Sequence, residues 1–478
     1  MPDHKAGFED MAVTRREFLN RCGMGFGSLA LAAMLAETGA LQSARAGSSI
    51  ASLDARLPPL PAKAKRVIHL FMSGGPSHVD TFDPKPALAR FKGKALKPGA
   101  GKMAGQPAGM PSPFKFQRYG KSGIEISELF PQIGAHADEM CVVRSMVTDI
   151  PAHEQALLLM NTGTVRFVRP SLGSWTTYGL GTENQSLPGF IAMAPGGYPL
   201  LGAQNWHAGF LPGIYQGTYI DSNQTNIEKV IEHIRSGVAT HEEQRQQLDV
   251  LHELNDSYKE RVKQDAQLEA RIHSFELAYK MQEAAAEAFD VSREPDDIRR
   301  LYGDGPQARQ LLIARRLVER GVRFVQCWQD GWDTHANLED SMRSLAKQSD
   351  QAIGALLTDL KQRGLLKDTL VIWGGEFGRT PTAQGGAGGD AGKGSGRDHN
   401  SAGFSTWMAG GGVKGGYVHG ATDELGFAAV QDKVHVHDLH ATILRLLGFD
   451  HEKFTFRYAG RDFRLTDVYG NIVHDLIA

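Results

Sequence analysis

Cysteine is scarce in this sequence, with only three among 478 residues. Cys22 lies in the N-terminal segment, whereas Cys141 and Cys327 lie in apolar runs and are expected to be buried thiols. The sequence therefore predicts no disulfide framework. A charge excess is also lacking, because the formal net charge is -2. No bulk electrostatic argument therefore indicates a nucleic acid or an anionic membrane as partner.

Long apolar runs are lacking beyond the N-terminal segment. No later run approaches the roughly 20 residues that a membrane-spanning helix needs. The mature protein is therefore expected to have no stable membrane span. Its 41% hydrophobic and 22% charged residues are typical of a globular protein.

The N-terminus carries the features of a targeting signal. Residues 14–19 (Thr-Arg-Arg-Glu-Phe-Leu) form a twin-arginine pattern, residues 23–35 are apolar, and residues 44–46 (Ala-Arg-Ala) suit cleavage. This order predicts a Tat signal peptide over residues 1–46, with export to the periplasm or secretion. The alternative is an uncleaved amphipathic helix. Tat carries folded proteins, often with an inserted cofactor, which favours a metal. Residues 47–65 are predicted to be a flexible leader.

The rest of the sequence alternates between apolar strands and amphipathic helices. Strands are predicted at 66–72, 140–146, 322–328, 369–373 and 405–409, and helices at 154–160, 307–320, 345–363 and 439–447. Such alternation is typical of a mainly parallel sheet flanked by helices. We therefore expect one α/β domain over residues 66–478, with a helical insertion at about 226–288.

Polar turns follow four segments of this pattern. They lie at 77–83, 148–153, 330–335 and 376–399 and carry acidic, imidazole or hydroxyl groups. Ligands of open parallel sheets bind at the carboxyl ends of the strands. We therefore expect these groups to meet in one pocket.

Asp333 and His335 provide a carboxylate and an imidazole two residues apart, as a divalent metal requires. The alternative is that Asp333 caps the next segment and His335 lies on the surface. Asp and His together suit Zn²⁺, Mn²⁺ or Fe better than Mg²⁺, with Ca²⁺ as a further candidate. The metal could polarise an anionic ester and lower the pKa of bound water. Arg379 and Arg144 could contact the anion, although for Arg379 a structural salt bridge is the alternative.

A second group, His435, His437 and His440, also has the spacing of a possible zinc site. The alternative is that this stretch leads into a structural helix with Asp438 as its N-cap.

Several segments resemble sulfatases. Residues 360–378 resemble the segment in which a helix, a turn and a strand end in a metal-binding Asp-His-Gly or Asp-Asn-Gly. Residues 438–448 look like the late sulfatase helix with its Asp-x-x-x-Thr-x-Leu core, and residues 149–163 are similar to the nucleophile turn and helix. Further motifs are Gly-Gly-Pro-Ser-His from residue 74, Trp-Asp-Thr-His at 332–335, Glu-Phe-Gly-Arg-Thr-Pro at 376–381 and Arg-Asp-His at 397–399. The chain is thus identified as a member of the DUF1501 family, within the alkaline phosphatase/sulfatase superfamily.

The resemblance implies a set of metal ligands. Asp333 and His335 would occupy the superfamily's Asp-and-His metal loop. Glu376 would replace the Asp of Asp-His-Gly, and His399 would supply the late His. Secondary ligand candidates are Asp398, His78 and Asp80. Arg379 would hold the anionic ester, and His153 would act as acid, base or positioner.

Three departures from the superfamily pattern bear on the mechanism. Phe377 stands where the His or Asn of a second metal would be, and the first strand ends in Ser73-Gly74 where many relatives place an Asp. No Cys/Ser-x-Pro-x-Arg pattern occurs at the nucleophile turn, where Thr148 is the only hydroxyl, which argues against a formylglycine sulfatase. A one-metal hydrolase acting through bound water, a Thr148-dependent phosphatase-like enzyme and a non-catalytic relative all remain open.

The sequence therefore predicts an exported, metal-dependent hydrolase of sulfate or phosphate esters with an alkaline-phosphatase-like α/β fold. The anionic ester could be carried on a carbohydrate, and no nucleic-acid partner is expected. The alternative is a non-catalytic binding or structural protein of the cell envelope that retained this fold.

Overall fold

The computed structural model describes residues 53–93, 108–224, 230, 240–259, 279–280, 284–384 and 394–478. The predicted signal peptide, part of the predicted leader and much of the predicted helical insertion lie outside these residues. The signal peptide and the domain boundaries stay predictions. Within the insertion, one helix spans His241–Lys259.

The described residues form strands and helices that are numbered in chain order. The strands are β1 (Arg66–Met72), β2 (Phe116–Tyr119), β3 (Ile124–Ser127), β4 (Met140–Val147), β5 (Phe190–Ala194), β6 (Thr218–Asp221), β7 (Phe324–Gln329), β8 (Thr369–Gly374), β9 (Gly378–Arg379), β10 (His399–Asn400), β11 (Phe404–Ala409), β12 (Tyr417–His419), β13 (Ala421–Thr422), β14 (Ala429–Gln431), β15 (Val434–His435), β16 (Phe456–Tyr458) and β17 (Arg461–Phe463). The α-helices are α1 (His78–Thr81), α2 (Pro131–Gly134), α3 (His153–Thr162), α4 (Leu172–Leu180), α5 (His241–Lys259), α6 (Asp296–Tyr302), α7 (Pro306–Glu319), α8 (Leu338–Gln362) and α9 (Val436–Leu446).

A nine-stranded sheet in the order β12-β4-β11-β8-β1-β7-β5-β6 forms the centre, and β15 also pairs with β4. Strand β1 runs parallel to both neighbours, β7 and β8. Strand β11 runs antiparallel to β4 and β8, and the remaining pairs of this sheet are parallel. The expected α/β class with a mainly parallel sheet is therefore confirmed.

Helices cover both faces of this sheet because its strands are apolar on both sides. In β1, Ile68, Leu70 and Met72 belong to one hydrophobic cluster, which also contains residues of α7 and α8. Val67 and Phe71 point to the opposite face and belong to a second cluster with residues of α3, α4 and α9. Burying such a side chain stabilises the fold by about 1.5–3 kcal/mol. None of the described helices has the combination of length and apolar character that crossing a membrane requires.

The two cysteines that the structure describes lie inside these clusters. Cys141 and Cys327 are buried free thiols, as predicted, and burial raises the pKa of Cys141 to about 12.

The carboxyl ends of β1, β4, β7 and β8 lie at one edge of the sheet, because these strands run in the same direction. The loop after β1 contains Gly74 and Gly75, whose φ angles are +113° and +77°. A Cβ at Gly74 would lie 2.3 Å from the backbone nitrogen of Asp333, and one at Gly75 would lie 2.7 Å from the ring of Phe377. Only glycine therefore lets this loop pack against both neighbouring segments, and no ligating side chain fits at Gly74.

Candidate metal centre

Four side chains at this edge direct one potential ligand atom each toward a common point. His153 is the first residue of α3, Asp333 and His335 follow β7, and His399 begins β10. The four ligand atoms all lie within 4.8 Å of one another. We call these residues the four-residue group. It brings together three of the predicted ligands with His153, which the sequence analysis assigned to acid, base or positioning chemistry.

The carboxylate of Asp333 lies at the centre of the group. Its Oδ1 is 2.8 Å from Nε2 of His335 and 3.2 Å from Nε2 of His399. Its Oδ2 is 3.4 Å from Nε2 of His153. The Nε2 atoms of His335 and His399 are only 2.9 Å apart. Three imidazoles thus direct the same ring atom toward one carboxylate.

The other ring nitrogen of each histidine faces a hydrogen-bond acceptor. Nδ1 of His153 lies 2.7 Å from Oε1 of Glu376, and Nδ1 of His399 lies 2.8 Å from the carbonyl oxygen of Pro151. Nδ1 of His335 contacts Oε1 of Gln384. Because these oxygens only accept, Nδ1 must donate and Nε2 keeps its lone pair in the neutral ring. Metal-binding histidines are oriented in this way, by a carboxylate, carbonyl or similar acceptor behind the ring.

The Nε2 atom of His153 gives a direct test of whether the group suits a cation. It is buried and makes no hydrogen bond of good geometry within the described residues, although Oδ2 of Asp333 lies nearby. A buried nitrogen whose nearest acceptor is poorly aligned is costly, and a bound cation would satisfy it. Three imidazole nitrogens and one carboxylate oxygen also match the number of ligands that zinc takes in proteins. The donor set therefore fits a divalent metal.

The charges around the group favour a cation as well. Burial lowers the pKa of His153, but the contacts with Asp333 and Glu376 outweigh burial and raise this pKa to about 9. Burial would raise the pKa of Asp333, but its contacts with His153, His399 and Arg379 outweigh burial and hold this pKa well below its usual range. Asp333 therefore stays ionised, and the carboxylates favour a positive charge beside Nε2 of His153.

Glu376 lies behind His153 and outside the converging atoms. Its side chain is fully buried, and its two oxygens lie 3.0 and 3.2 Å from the backbone nitrogen of Gly74. Oε1 also accepts from His153. The loop after β8 thus turns this carboxylate toward the loop after β1. Its contacts are those of a residue that orients a ligand, whereas the sequence analysis expected a ligand itself.

The three secondary ligand candidates also lie outside the four-residue group, because each has another partner. Asp80 is fully buried and pairs with Arg397 at 2.7 and 3.1 Å. Nε2 of His78 lies 2.9 Å from the carbonyl oxygen of Gly426, and Oδ1 of Asp398 accepts from the backbone nitrogen of His399 at 2.8 Å.

Arg379 is fully buried, and all its nitrogens donate to the protein. Nε donates to the carbonyl oxygen of Gly75 at 3.0 Å. Nη1 donates to the carbonyl oxygen of Arg397 at 3.2 Å and also lies 3.4 Å from Nε2 of His335. Nη2 donates to the carbonyl oxygen of Gly74 and to Oδ1 of Asp333. These are the contacts of a structural salt bridge, which was the alternative that the sequence left open for Arg379. All nitrogens of its guanidinium group are engaged in contacts within the protein. Arg144 is likewise engaged with the carbonyl oxygen of Phe82 at 2.7 Å.

Thr148 and Phe377 complete the surroundings of the predicted site. Thr148 is buried, and its hydroxyl has no hydrogen-bond partner in the described part of the chain. It is thus not bonded to any member of the four-residue group. The ring of Phe377 packs against His153 and His399, with centroid distances of 4.9 and 4.5 Å. Phe377 therefore fills the space beside these two imidazoles with carbon.

The second histidine group does not converge. His435 is the N-cap of α9, and its Nδ1 accepts from the backbone nitrogen of His437. Oδ2 of Asp438 in turn accepts from the backbone nitrogen of His435 at 2.9 Å. Nε2 of His437 and Nε2 of His440 face the carbonyl oxygens of Gly163 and Met160. These contacts match the structural alternative, with the correction that the N-cap is His435 and Asp438 is the third helical residue.

The sequence pattern did not reveal that His153 belongs with Asp333, His335 and His399. It also did not reveal the contact of Gln384 with His335. One signal for His153 was available. It stands immediately before the predicted helix at 154–160, at the end of the polar turn that follows the predicted strand at 140–146. Gln384 carried no comparable signal, since a glutamine in a Gly-rich stretch is ordinary.

The fold and the four-residue group define an α/β protein with a candidate metal centre at the carboxyl edge of a mainly parallel sheet. The chain belongs to the family described as "Protein of unknown function (DUF1501)", whose profile matches residues 64–477. The predicted family is therefore confirmed.

Comparison with curated proteins finds no match. Among solved structures, the chain is similar to the PsFucS1 sulfatase from Pseudoalteromonas sp., with 14% identity over 92% of this chain and 73% of that chain and a TM-score of 0.33. It is also similar to the lipoteichoic acid synthase LtaP from Listeria monocytogenes, with 9% identity, 84% and 74% coverage and a TM-score of 0.33. A mutant of TAB5 alkaline phosphatase gives 11% identity, 81% and 98% coverage and a TM-score of 0.34.

Proposed function

We propose that this protein is a metal-dependent hydrolase of sulfate or phosphate esters, with the metal held by His153, Asp333, His335 and His399. The observation that carries the proposal is the convergence of three Nε2 atoms on Asp333, each opposite an Nδ1 atom with its own acceptor. Surface histidines that meet by chance have no reason to share this orientation. In this arrangement His153 is a ligand, and Glu376 orients it.

The chemistry of the donor set narrows the choice of metal. Nitrogen-rich sites of imidazole with one carboxylate suit Zn²⁺, Mn²⁺ or Fe, whereas Ca²⁺ and Mg²⁺ prefer oxygen ligands. When bound, such a metal supplies Lewis acidity that polarises an ester oxygen and activates water.

The charges around the four-residue group favour an anionic substrate. The four-residue group contributes one carboxylate, so a divalent cation would keep a net positive charge there. Arg379 adds a buried positive charge in contact with Asp333, and it can act on the substrate through its field while its donors stay bonded to the protein. Helix α3 begins at His153 without a capping side chain, so its positive end faces the same region.

A non-catalytic, metal-binding protein of the cell envelope is the competing function. Two observations favour it. Arg379 has no donor left for an ester, and the hydroxyl of Thr148 is not bonded to the four-residue group. A Thr148-dependent mechanism therefore has less support than hydrolysis by water.

Metal content separates the proposal from a structural relic. We expect the purified mature protein to carry near-stoichiometric metal by elemental mass spectrometry, and His335→Ala to lose it with the fold intact by circular dichroism. His474→Ala, which removes an exposed histidine of the C-terminal turn, is the matched control and should keep the metal. Protein folded under metal-replete conditions without bound metal contradicts the proposal.

Activity then separates the hydrolase from the non-catalytic alternative. The metal-loaded protein is screened against aryl and sugar esters of sulfate and of phosphate, and release of the free anion is measured. Turnover that disappears in His335→Ala supports hydrolysis. Loaded protein that turns over none of these esters favours the binding protein. The sugar esters test the prediction that the substrate is carried on a carbohydrate.

We also propose Tat-dependent export, on the twin-arginine pattern of residues 14–19. The Arg15→Lys, Arg16→Lys double variant should stay in the cytoplasm at its full precursor length. Normal processing of that variant would contradict Tat export.

A further inference from the structure

A buried ion pair outside the four-residue group connects the segments that carry it. Arg397 forms two hydrogen bonds to Asp80, from Nε to Oδ2 at 2.7 Å and from Nη2 to Oδ1 at 3.1 Å. Both side chains are fully buried. Oδ2 of Asp80 also accepts from the hydroxyl of Ser77 at 2.5 Å. The pair therefore joins helix α1, after β1, to the segment just before β10.

Arg397 also contacts the segments on either side of the candidate metal centre. Its backbone nitrogen donates to the carbonyl oxygen of Thr334 at 3.0 Å, and Thr334 stands between Asp333 and His335 in the chain. Its Nη1 donates to the carbonyl oxygen of Thr380 at 3.3 Å, and its own carbonyl oxygen accepts from Arg379 at 3.2 Å. His399 follows two residues later. One arginine is therefore bonded to helix α1 after β1, to the loop after β7 and to the segment of β9 and Thr380.

The close packing around Arg397 leaves little freedom in these loops. A Cβ at Gly396 would lie 2.1 Å from the backbone of His335, so the two segments are in direct contact. Asp333, His335 and His399 thus stand on segments that Arg397 ties together. His153 comes from α3 and is oriented separately, by Glu376.

We propose that Asp80 and Arg397 are positioning residues, whose buried pair sets the spacing of Asp333, His335 and His399 for metal binding. This inference rests on the proposed function. The physical reason is that metal affinity depends on ligand atoms being held within about 0.5 Å of the productive geometry. Loss of a residue that orients ligands typically lowers metal affinity about 10–100-fold.

The test must separate positioning from general stability. Replacing a buried ion pair by apolar side chains of similar volume is often neutral for stability, whereas removing one partner leaves an unpaired buried charge. The variant is therefore the double substitution Asp80→Leu, Arg397→Met. The matched control is Glu183→Leu, Arg323→Met, which removes a 2.9 Å pair with a buried arginine at the amino end of β7, the opposite edge of the sheet.

Three quantities are measured on parent, variant and control. They are the Zn²⁺ dissociation constant by competition with a chromogenic chelator, the visible absorption spectrum with Co²⁺ bound, and the melting temperature of the metal-free protein. We expect the variant to lose about 10–100-fold in affinity and to change its Co²⁺ spectrum, with a metal-free melting temperature close to that of the control. The control should bind Zn²⁺ and Co²⁺ as the parent does.

A variant whose affinity and Co²⁺ spectrum equal those of the parent overturns the positioning role and leaves the proposed function intact. A parent that binds neither Zn²⁺ nor Co²⁺ overturns the proposed function, and the positioning role with it. If the double variant does not fold, Arg397→Lys replaces it, because Lys keeps the charge but cannot form both bonds to Asp80. A several-fold loss of affinity with an altered Co²⁺ spectrum is then expected, and parental values overturn the inference.

Discussion

Nδ1 of His153 lies 2.7 Å from Oε1 of the fully buried Glu376, a residue 223 positions away in the chain. This contact sets the proton on Nδ1 and turns Nε2 toward Asp333. We therefore predict that Glu376→Gln lowers Zn²⁺ affinity about 10-fold, because the amide removes the charge and one acceptor behind the ring. Chelator competition measures the change. Glu154→Gln removes a neighbouring exposed charge in the first turn of α3 and serves as the control. Equal affinities in both variants would contradict the assigned role.

The pKa of His153 predicts how metal binding depends on pH. In the metal-free protein this pKa is raised to about 9, so at neutral pH the ring is protonated and an incoming cation must displace that proton. Zn²⁺ affinity should therefore rise with pH until about pH 9 and level off above it. Titration calorimetry in buffers of different ionisation enthalpy should detect release of about one proton from His153 at pH 7. His153→Ala should release correspondingly fewer protons, and an unchanged count would contradict the prediction.

From the positions of Phe377 and Arg379 we predict that the site holds one metal ion per chain. Two-metal sites place their ions about 3.5–4 Å apart and need ligands for both. Beside the four-residue group lie the Phe377 ring and the committed guanidinium of Arg379, and the described residues contain no other close set of three ligands. Elemental analysis should give one ion, and Mn²⁺-loaded protein should show the electron paramagnetic resonance spectrum of an isolated ion. A spin-coupled pair would show this prediction to be wrong.

Gly74 is predicted to be intolerant of a side chain for two separable reasons. Its φ of +113° disfavours any L-residue, and a Cβ there would meet the backbone of Asp333 at 2.3 Å. Gly305 has a similar φ of +105° but nothing within 4 Å of its Cβ position. Gly305→Ala should cost about 1–2 kcal/mol of unfolding free energy, from backbone strain alone. Gly74→Ala should cost about 1–3 kcal/mol more, from overpacking, and should weaken metal binding. Urea unfolding measures both, and equal losses would contradict the clash.

Much of the fold could be read from local patterns. The apolar runs at 66–72, 140–146 and 369–373 predicted β1, β4 and β8 to within one residue, because a doubly buried strand requires a continuous apolar run. The boundaries of the helices were predicted less accurately than those of the strands. Helix α8 begins at Leu338 and not at residue 345, since its first two turns carry polar residues that weaken the apolar period. The sheet order was not predictable, because parallel strands pair across long connections that carry no register signal.

The residue types at the strand ends follow from the sequence alone: Asp333 and His335 come after β7, His153 comes after β4, and His399 comes before β11. Which of these residues meet, and which partner lies behind each of them, depends on how the chain folds. Asp80 pairs with Arg397, which is 317 positions away, and Glu376 accepts a hydrogen bond from His153. Arg379 donates its hydrogen bonds to backbone carbonyl oxygens and to Asp333. The physical reason is that an ionisable side chain takes its role from its partners, and partners brought together by a parallel sheet are distant in sequence. A pattern can propose a ligand, but burial and hydrogen bonding decide whether it faces the metal, orients another ligand or ties two loops together.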